Sequence, residues 1–300
     1  MADKALTKGV MNMSRNPTRL FYQPVIGFLA VASLALMSYA IWLCLHNVSL
    51  MSVRPTEFVG GSNFVRLATD WRGLQALGRT ALFTLLATGI EVVLGIAIAL
   101  LLDREFAGKK LVRALILVPM IMTPVIAGLT WRFLFNAQSG MINYGLSFLD
   151  IAPVDWLGDP SLALYAVLAA DIWQWTPFVI LLAMATLETI PKDLVEAARM
   201  DGANELRIIW HIILPMLRRT LAVAALIRAI DSVKAFDLFY IMTKGGPALS
   251  TETQNLYGYT VAFTNFDISY AMTIALALTV ITNIALLLLH RFTKLKGLGA

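Results

Sequence analysis

The chain has 300 residues, of which 58% are hydrophobic and 14% charged, and its mean hydropathy is +0.73. That is far too apolar for a soluble domain of this length and points to a membrane protein. The formal net charge of +5 is carried by the connections between apolar segments, so it reflects orientation in a bilayer and not affinity for nucleic acid.

From Leu20 to Val53 there is no Asp, Glu, Lys or Arg, a run longer than the roughly 20 apolar residues needed to cross a bilayer. Its basic start resembles a secretory signal peptide. The run is too long for a signal core and lacks a small-x-small cleavage site, so an uncleaved helix is expected. Further apolar runs predict spans at 80–102, 114–135, 162–187, 220–242 and 268–289, the first being 24–45. The expectation is an all-α membrane protein of six transmembrane helices occupying residues 21–294, with tails at 1–20 and 295–300 and a polar loop at 190–217. No soluble domain, low-complexity tract or tandem repeat interrupts this pattern, and the single cysteine, Cys44, excludes an intramolecular disulfide.

Basic residues set the orientation. Lys4, Lys8, Arg15 and Arg19 precede the first span; Arg104, Lys109, Lys110 and Arg113 follow the second. Lys192, Arg199, Arg207, Arg218 and Arg219 lie after the fourth, and Arg291, Lys294 and Lys296 after the sixth. The opposite side has Arg54, Arg66, Arg72, Arg79 and Lys244, and none between Asn136 and Ser161. By the positive-inside rule both termini and the loop at 190–217 are expected in the cytoplasm. The outward loops, 46–79, 136–161 and 244–267, would then form a receiving face.

The segment EAARMDGANELRIIWHIILP, Glu196 to Pro215, stands out within that loop. Glu196, Ala197 and Ala198 are strong helix formers, Gly202 permits a backbone turn, and Asn204 to Leu214 resumes an apolar periodicity before Pro215. Physics alone leaves open an amphipathic loop lying on the membrane surface. The spacing resembles the EAA signature of bacterial ABC importer permeases, in which such a loop is the coupling helix that docks into a cytoplasmic ATPase. The resemblance implies coupling roles for Glu196, Ala197, Ala198, Asp201, Gly202 and Pro215.

Two further runs narrow the resemblance. FDLFYIMTKGGPALST, Phe236 to Thr251, closes the fifth span with Gly245, Gly246 and Pro247, and FLFNAQSGMIN, Phe133 to Asn143, closes the third. Locally these are helix ends with forced turns. With the EAA segment they resemble the carbohydrate-uptake branch, specifically the larger maltose-transporter-type membrane subunit, over about 21–294. The extra N-terminal helices and large outward domain of the maltose type are not expected here.

Ionisable residues inside a bilayer are costly and usually face the bundle interior or a wet cavity. The fifth span has Arg228, Asp231, Lys234 and Asp237, with Arg228, Ser232, Ala235 and Phe239 on one helical face. The resemblance implies sugar-contacting positions at Arg228 and Ser232, and at Gln174, Trp175 and Phe178 beside Pro177 on the fourth span. Aromatic faces suit the C–H side of a sugar, and Gln, Ser and Arg can bond its hydroxyls. The residues themselves leave a second role open for Arg228, a structural pair with Asp231 at i, i+3. Trp173 and Trp175 cannot face the same way. Glu91 is expected to make a bundle hydrogen bond, and the role of Asp171 is undecided. An arginine at a pocket position extends the expected substrate class to anionic glycosides or polyol derivatives bearing a sulfonate, phosphate or carboxylate.

The resemblance implies a non-catalytic subunit of a binding-protein-dependent sugar importer in the bacterial cytoplasmic (inner) membrane, working by alternating access. Its implied partners are a second homologous permease, two copies of a cytoplasmic ATPase and a periplasmic or lipid-anchored solute-binding protein. The chain has no Walker-type phosphate loop, so ATP and Mg belong to the ATPase, and no cofactor or metal is expected here. Two other readings stand beside it. An ion-coupled secondary transporter would use Glu91, Asp171 and Asp231. A membrane enzyme would need a compact catalytic set, whereas His46, His211 and His290 lie near different span ends.

Overall fold

The computed structural model describes residues 17–51 and 55–295. The expected tails through residue 16 and from residue 296, and Arg54, lie outside the described residues. Helix α1 (Pro17–Leu45) leads into a two-residue antiparallel ribbon, β1 (His46–Asn47) paired with β2 (Glu57–Phe58), and then α2 (Ser62–Thr69). The long helix α3 (Trp71–Asp103) starts at Asp70, whose side chain accepts from the backbone N–H of Arg72 at 3.1 Å. That contact satisfies one of the orphan donors of the first turn. Next come α4 (Lys109–Ile121), α5 (Pro124–Leu134), α6 (Met141–Ser147) and α7 (Ala163–Leu187). Helices α8 (Lys192–Met200) and α9 (Glu205–Ile208) and a π turn (Ile209–Ile213) lead into α10 (Leu214–Lys234). The short α11 (Asp237–Met242), α12 (Gln254–Phe263) and α13 (Ile268–Leu295) complete the chain.

Among the described residues, four helical segments are long and apolar enough to cross a membrane: Gln23–Leu45, Trp71–Asp103, Ala163–Leu187 and Ile268–Ala285. A fifth exists if α4 and α5 count as one broken span. Two expected spans differ from straight helices. The run 114–135 bends by 100° between α4 and α5. Pro119 and Pro124 each lack an N–H, Met122 is extended, and the Thr123 side chain caps the new helix through Ile126 N. The run 220–242 stops at Lys234, leaves the helical path at Ala235–Phe236 and resumes as α11. Helix α10 also carries Arg218, Arg219, Arg228, Asp231 and Lys234, too many charges to rank among the apolar crossings.

The core is built on α3 against α7. Residues Ala76, Thr80, Phe83, Ala87, Glu91, Gly95, Ala99 and Leu102 of α3 are buried at steps of three and four, a single helical stripe. Its small residues let the backbones approach: a Cβ on Gly95 would meet the Cβ and Cγ1 of Val179 at 2.6 Å. Helix α7 is buried on nearly every side, and α10 closes over the same pair. At one end, Phe83 packs edge-on against Phe239 of α11 with centroids 4.7 Å apart. Helix α1 lies against α13 and exposes Phe28, Val31, Leu34 and Leu36, which suits contact with lipid.

Candidate functional site

Two regions merit description. The first is the loop that begins with α8. Glu196 and Ala197 are exposed and Ala198 is half-buried. The helix ends at Asp201, whose N–H bonds to the Ala197 carbonyl at 3.0 Å. Gly202 has φ +83°, where a side chain would clash with its own carbonyl, and the N–H of Ala203 returns to the Ala198 carbonyl at 2.9 Å. Asn204 then caps the next helix by accepting from Arg207 N at 2.9 Å, and Arg199 reaches across the turn to Glu205 at 3.0 Å. Pro215 is exposed at the start of α10. Glu196 borders a cavity of about 670 Å³ together with Lys109, Lys110, Arg113, Lys192 and Arg199. The turn displays Met200, 88% exposed, with Leu206 and Trp210 at 66% each, an apolar surface beside charge.

The second region is a charge cluster where α3, α7 and α10 meet. Arg228 is 1% exposed. Its Nε and Nη2 donate to the two carboxylate oxygens of Glu91 at 2.6 and 2.9 Å, and Nη2 also donates to Asp171 at 3.0 Å and to Ser232 Oγ at 3.2 Å. The guanidinium carbon stands 4.8 Å from the centroid of the Trp175 ring, within cation–π range. Glu91 and Asp171 are themselves 0% and 4% exposed. An isolated charge could not persist there, but a bidentate pair satisfies both partners.

Of the expected pathway residues, the fold gathers Trp175, Arg228 and Ser232. Phe178 is half-buried on the following turn of α7. Gln174 is elsewhere: its Nε2 donates to the Met122 carbonyl at 2.9 Å, satisfying the backbone freed where α4 breaks from α5. Trp173 turns away from Trp175 and meets Trp131 edge-on at 5.7 Å. The alternative pairing of Arg228 with Asp231 is replaced, because Asp231 is exposed on the next turn of α10 while Arg228 bonds Glu91 and Asp171. The guanidinium that motivated an anionic substrate class is bonded within the bundle by two carboxylates.

Sequence reasoning marked Glu91 and Asp171 as unusual without joining them to Arg228; three mid-span charges of complementary sign were the available signal. It also missed an aromatic cluster in which the Tyr259 ring lies 5.2 Å from Phe236, 5.4 Å from Tyr240 and 5.1 Å from Phe263. A polar clasp beyond α3 went unread as well. Arg72 grips both oxygens of Glu252 at 2.8 and 2.7 Å, and Asp70 accepts from the hydroxyls of Tyr257 and Tyr270. Among the described residues, no group of three or more His, Cys, Asp or Glu side chains is placed to hold a metal.

An all-α multi-pass bundle with a displayed Glu-Ala-Ala turn defines the membrane subunit of an ABC-type importer, a non-catalytic transport component of the inner membrane. Residues 91–294 match the family described as "Binding-protein-dependent transport system inner membrane component", and the chain belongs to that family. It is 36% identical over 219 residues to the trehalose/maltose transport system permease protein MalF of Thermococcus litoralis, covering 73% of this chain and 74% of that one. It is 33% identical over 264 residues to the trehalose transport system permease protein SugA of Mycobacterium tuberculosis, covering 88% and 83%. The fold is similar to that of a chain from a bacterial ABC transporter that imports the acidic polysaccharide alginate, with TM-score 0.78, 20% identity and coverage of 92% and 95%. This family membership leaves the ion-coupled transporter and membrane-enzyme readings without support.

Proposed function

We propose that this chain forms one half of an alternating-access path for a glycoside, with Trp175, Phe178, Arg228 and Ser232 as the wall that meets the sugar and Gln174 supporting it at the α4–α5 break. As a permease subunit of a sugar-importing ABC system it works with a second permease, two ATPase subunits and a solute-binding protein. Its sugar relatives carry trehalose and maltose in their names, which makes these disaccharides the first substrates to try. The observation that carries the pocket reading is the Trp175 ring set over the buried Arg228 guanidinium. The ring is half-buried with one side on the guanidinium, and an aromatic face near polar groups is the combination that recognises a sugar ring.

The topology proposed here has six crossings: the four apolar helices, the bent pair α4 and α5, and α10. Both termini are cytoplasmic, as the Lys and Arg distribution supports. Glu196, Ala197, Ala198, Asp201, Gly202 and Pro215 then form the surface that follows the ATPase. When ATP closes the ATPase pair, this surface tilts α8 and α10 and opens the path outward; hydrolysis resets it.

The decisive experiment reconstitutes the whole importer in proteoliposomes, using the sugar that raises the melting temperature of its binding protein. Uptake should require ATP and the binding protein, and Trp175→Ala should reduce it with complex yield preserved. Full uptake in Trp175→Ala would move the path elsewhere. In the same membranes a thiol placed at Asp155 should react with an impermeant external reagent and one at Asn204 should not. Cys44, 0% exposed, provides a silent background.

A further inference from the structure

We infer that the path has a separate outer subsite for a hydroxyl-bearing sugar ring, in the cavity between α12 and α13 that is lined by Phe236, Tyr259 and the Gln254 amide. The inference rests on the reading that the chain carries a glycoside. It adds a second place where the ring is held, at the end of the bundle that the proposed topology turns outward.

The cavity measures about 480 Å³ and is enclosed by one face of α12, the start of α13 and Phe236 at the break after α10. That lies within the roughly 300–1,000 Å³ of small-ligand sites. Phe236 follows Arg228 and Ser232 at intervals of four, so the cavity begins about one helical turn beyond the wall proposed for the sugar. Phe236, Tyr259 and Phe263 all line it. The Tyr259 centroid is 5.2 Å from that of Phe236 and 5.1 Å from that of Phe263, and Tyr240 braces both Phe236 and Tyr259 at 5.4 Å. Rings in mutual contact hold one orientation, and aromatic faces suit the C–H side of a sugar.

The polar complement is an amide without a partner. Gln254 also lines the cavity and is 3% exposed. Its backbone N–H donates to Thr80 Oγ1 at 2.8 Å, yet among the described residues no group donates to its side-chain Oε1. A buried acceptor left unmatched costs free energy. The terminal torsion of glutamine is soft, so Oε1 can turn to a ligand that brings a donor. An acyl chain or a phosphate diester brings none, whereas every sugar hydroxyl does. Asn255, also on the lining, spends its Nδ2 on the Val233 carbonyl at 3.3 Å and keeps Oδ1 as a second acceptor. Two amide acceptors beside clustered rings fit a ligand that is apolar on its faces and carries donors at its rim, which describes a pyranose.

The test uses the complete complex in proteoliposomes. A thiol placed at Ala262, on the lining, should react with N-ethylmaleimide, and trehalose or maltose should slow that reaction several-fold. A thiol at Asn265, outside the lining, should feel neither sugar. Gln254→Leu removes the unmatched acceptor, so the unfolding midpoint of the purified complex should hold or rise while the sugar concentration for half-protection increases by about three- to tenfold. Tyr259→Ala should increase it by a similar factor. Trp175→Ala should lose uptake and keep the protection. An Ala262 thiol that is inert in the assembled complex would assign the cavity to the second permease, and one that reacts only after lipid is stripped would assign it to an acyl chain. Either result overturns the inference, as does a reactive thiol that neither sugar protects, or protection that Gln254→Leu and Tyr259→Ala leave unchanged. Full uptake by Trp175→Ala with protection intact would refute the inner wall and support the outer subsite, so the two readings fail separately.

Discussion

Arg228 on α10 and Glu91 on α3 form a bidentate ion pair across 137 residues of sequence, 1% and 0% exposed, with Asp171 of α7 at 3.0 Å on the same guanidinium. Three helices are thereby fixed in register at one point. The energetic consequence is asymmetric. Forming such a pair gains little over a packed apolar substitute, because both ions lose hydration, whereas removing one partner leaves an uncompensated buried charge.

Arg228→Gln should therefore strand Glu91 and Asp171, lowering complex yield and costing about 3–5 kcal/mol of stability. Arg228→Gln/Glu91→Gln should recover part of that yield, because one orphaned carboxylate is gone. Arg228→Gln/Asp231→Asn should recover none, since Asp231 is not bonded to the guanidinium. Purified yield and unfolding midpoint of the three variants check this; rescue by Asp231→Asn alone would contradict the pairing.

The stripe that lets α3 lie close to α7 gives a second expectation. Alanine at Gly95 would place its Cβ 2.6 Å from two carbon atoms of Val179, whereas a Cβ at Gly89 on the same helix meets nothing within 4 Å. Gly95→Ala should destabilise by about 1–3 kcal/mol through overpacking. Gly89→Ala should be neutral or stabilising by up to about 1 kcal/mol through helix propensity. The comparison is the unfolding midpoint of the purified complex, and equal midpoints would refute the close α3–α7 contact.

How much of this was legible in the sequence depends on range. The membrane class followed from apolar run length, because a bilayer imposes a minimum span that composition reveals directly. The bend between α4 and α5 was signalled by Pro119 and Pro124, but hydropathy averaged over 114–135 smooths across it. The break at Ala235–Phe236 has no proline or glycine to announce it. The charge cluster was legible only in pieces. A local i, i+3 rule leads from Arg228 to Asp231, whereas the real partners come from helices 57 and 137 residues away. The turn at Gly202 was the easiest part to read, since its cap, glycine and second helix are all local.

Asp70 gives a pH expectation. Partial desolvation opposes its ionisation, but hydrogen bonds from Tyr257, Tyr270 and the N–H groups of Gly73 and Arg72 outweigh that and hold its carboxyl below the ordinary range. A depressed carboxylate contributes stability that is fully present above its unfolded pKa of about 3.9 and lost as pH falls through the lower folded value. Asp70→Asn should therefore lower the melting temperature at pH 7, and the gap to the native chain should narrow in strong acid. A gap that widens on acidification would show that Asp70 is not held ionised by the two tyrosines.

In the turn proposed to meet the ATPase, Gly202 has φ +83° and open space around its Cα, so any penalty for a side chain there is conformational and not steric against neighbours. Gly202→Asn should be tolerated, because asparagine visits the left-handed region, while Gly202→Val should cost about 1–2 kcal/mol locally and misdirect α9. Glu196→Lys leaves the turn intact and reverses the charge presented beside the cavity lined by Lys192 and Arg199. Both Gly202→Val and Glu196→Lys should insert in the membrane and assemble, yet lose substrate-stimulated ATPase activity and uptake together, with Gly202→Asn near native. Measuring the two activities on the same proteoliposomes separates coupling from assembly. Normal coupled uptake by Glu196→Lys and Gly202→Val would remove this turn from the path between ATP and the transported sugar.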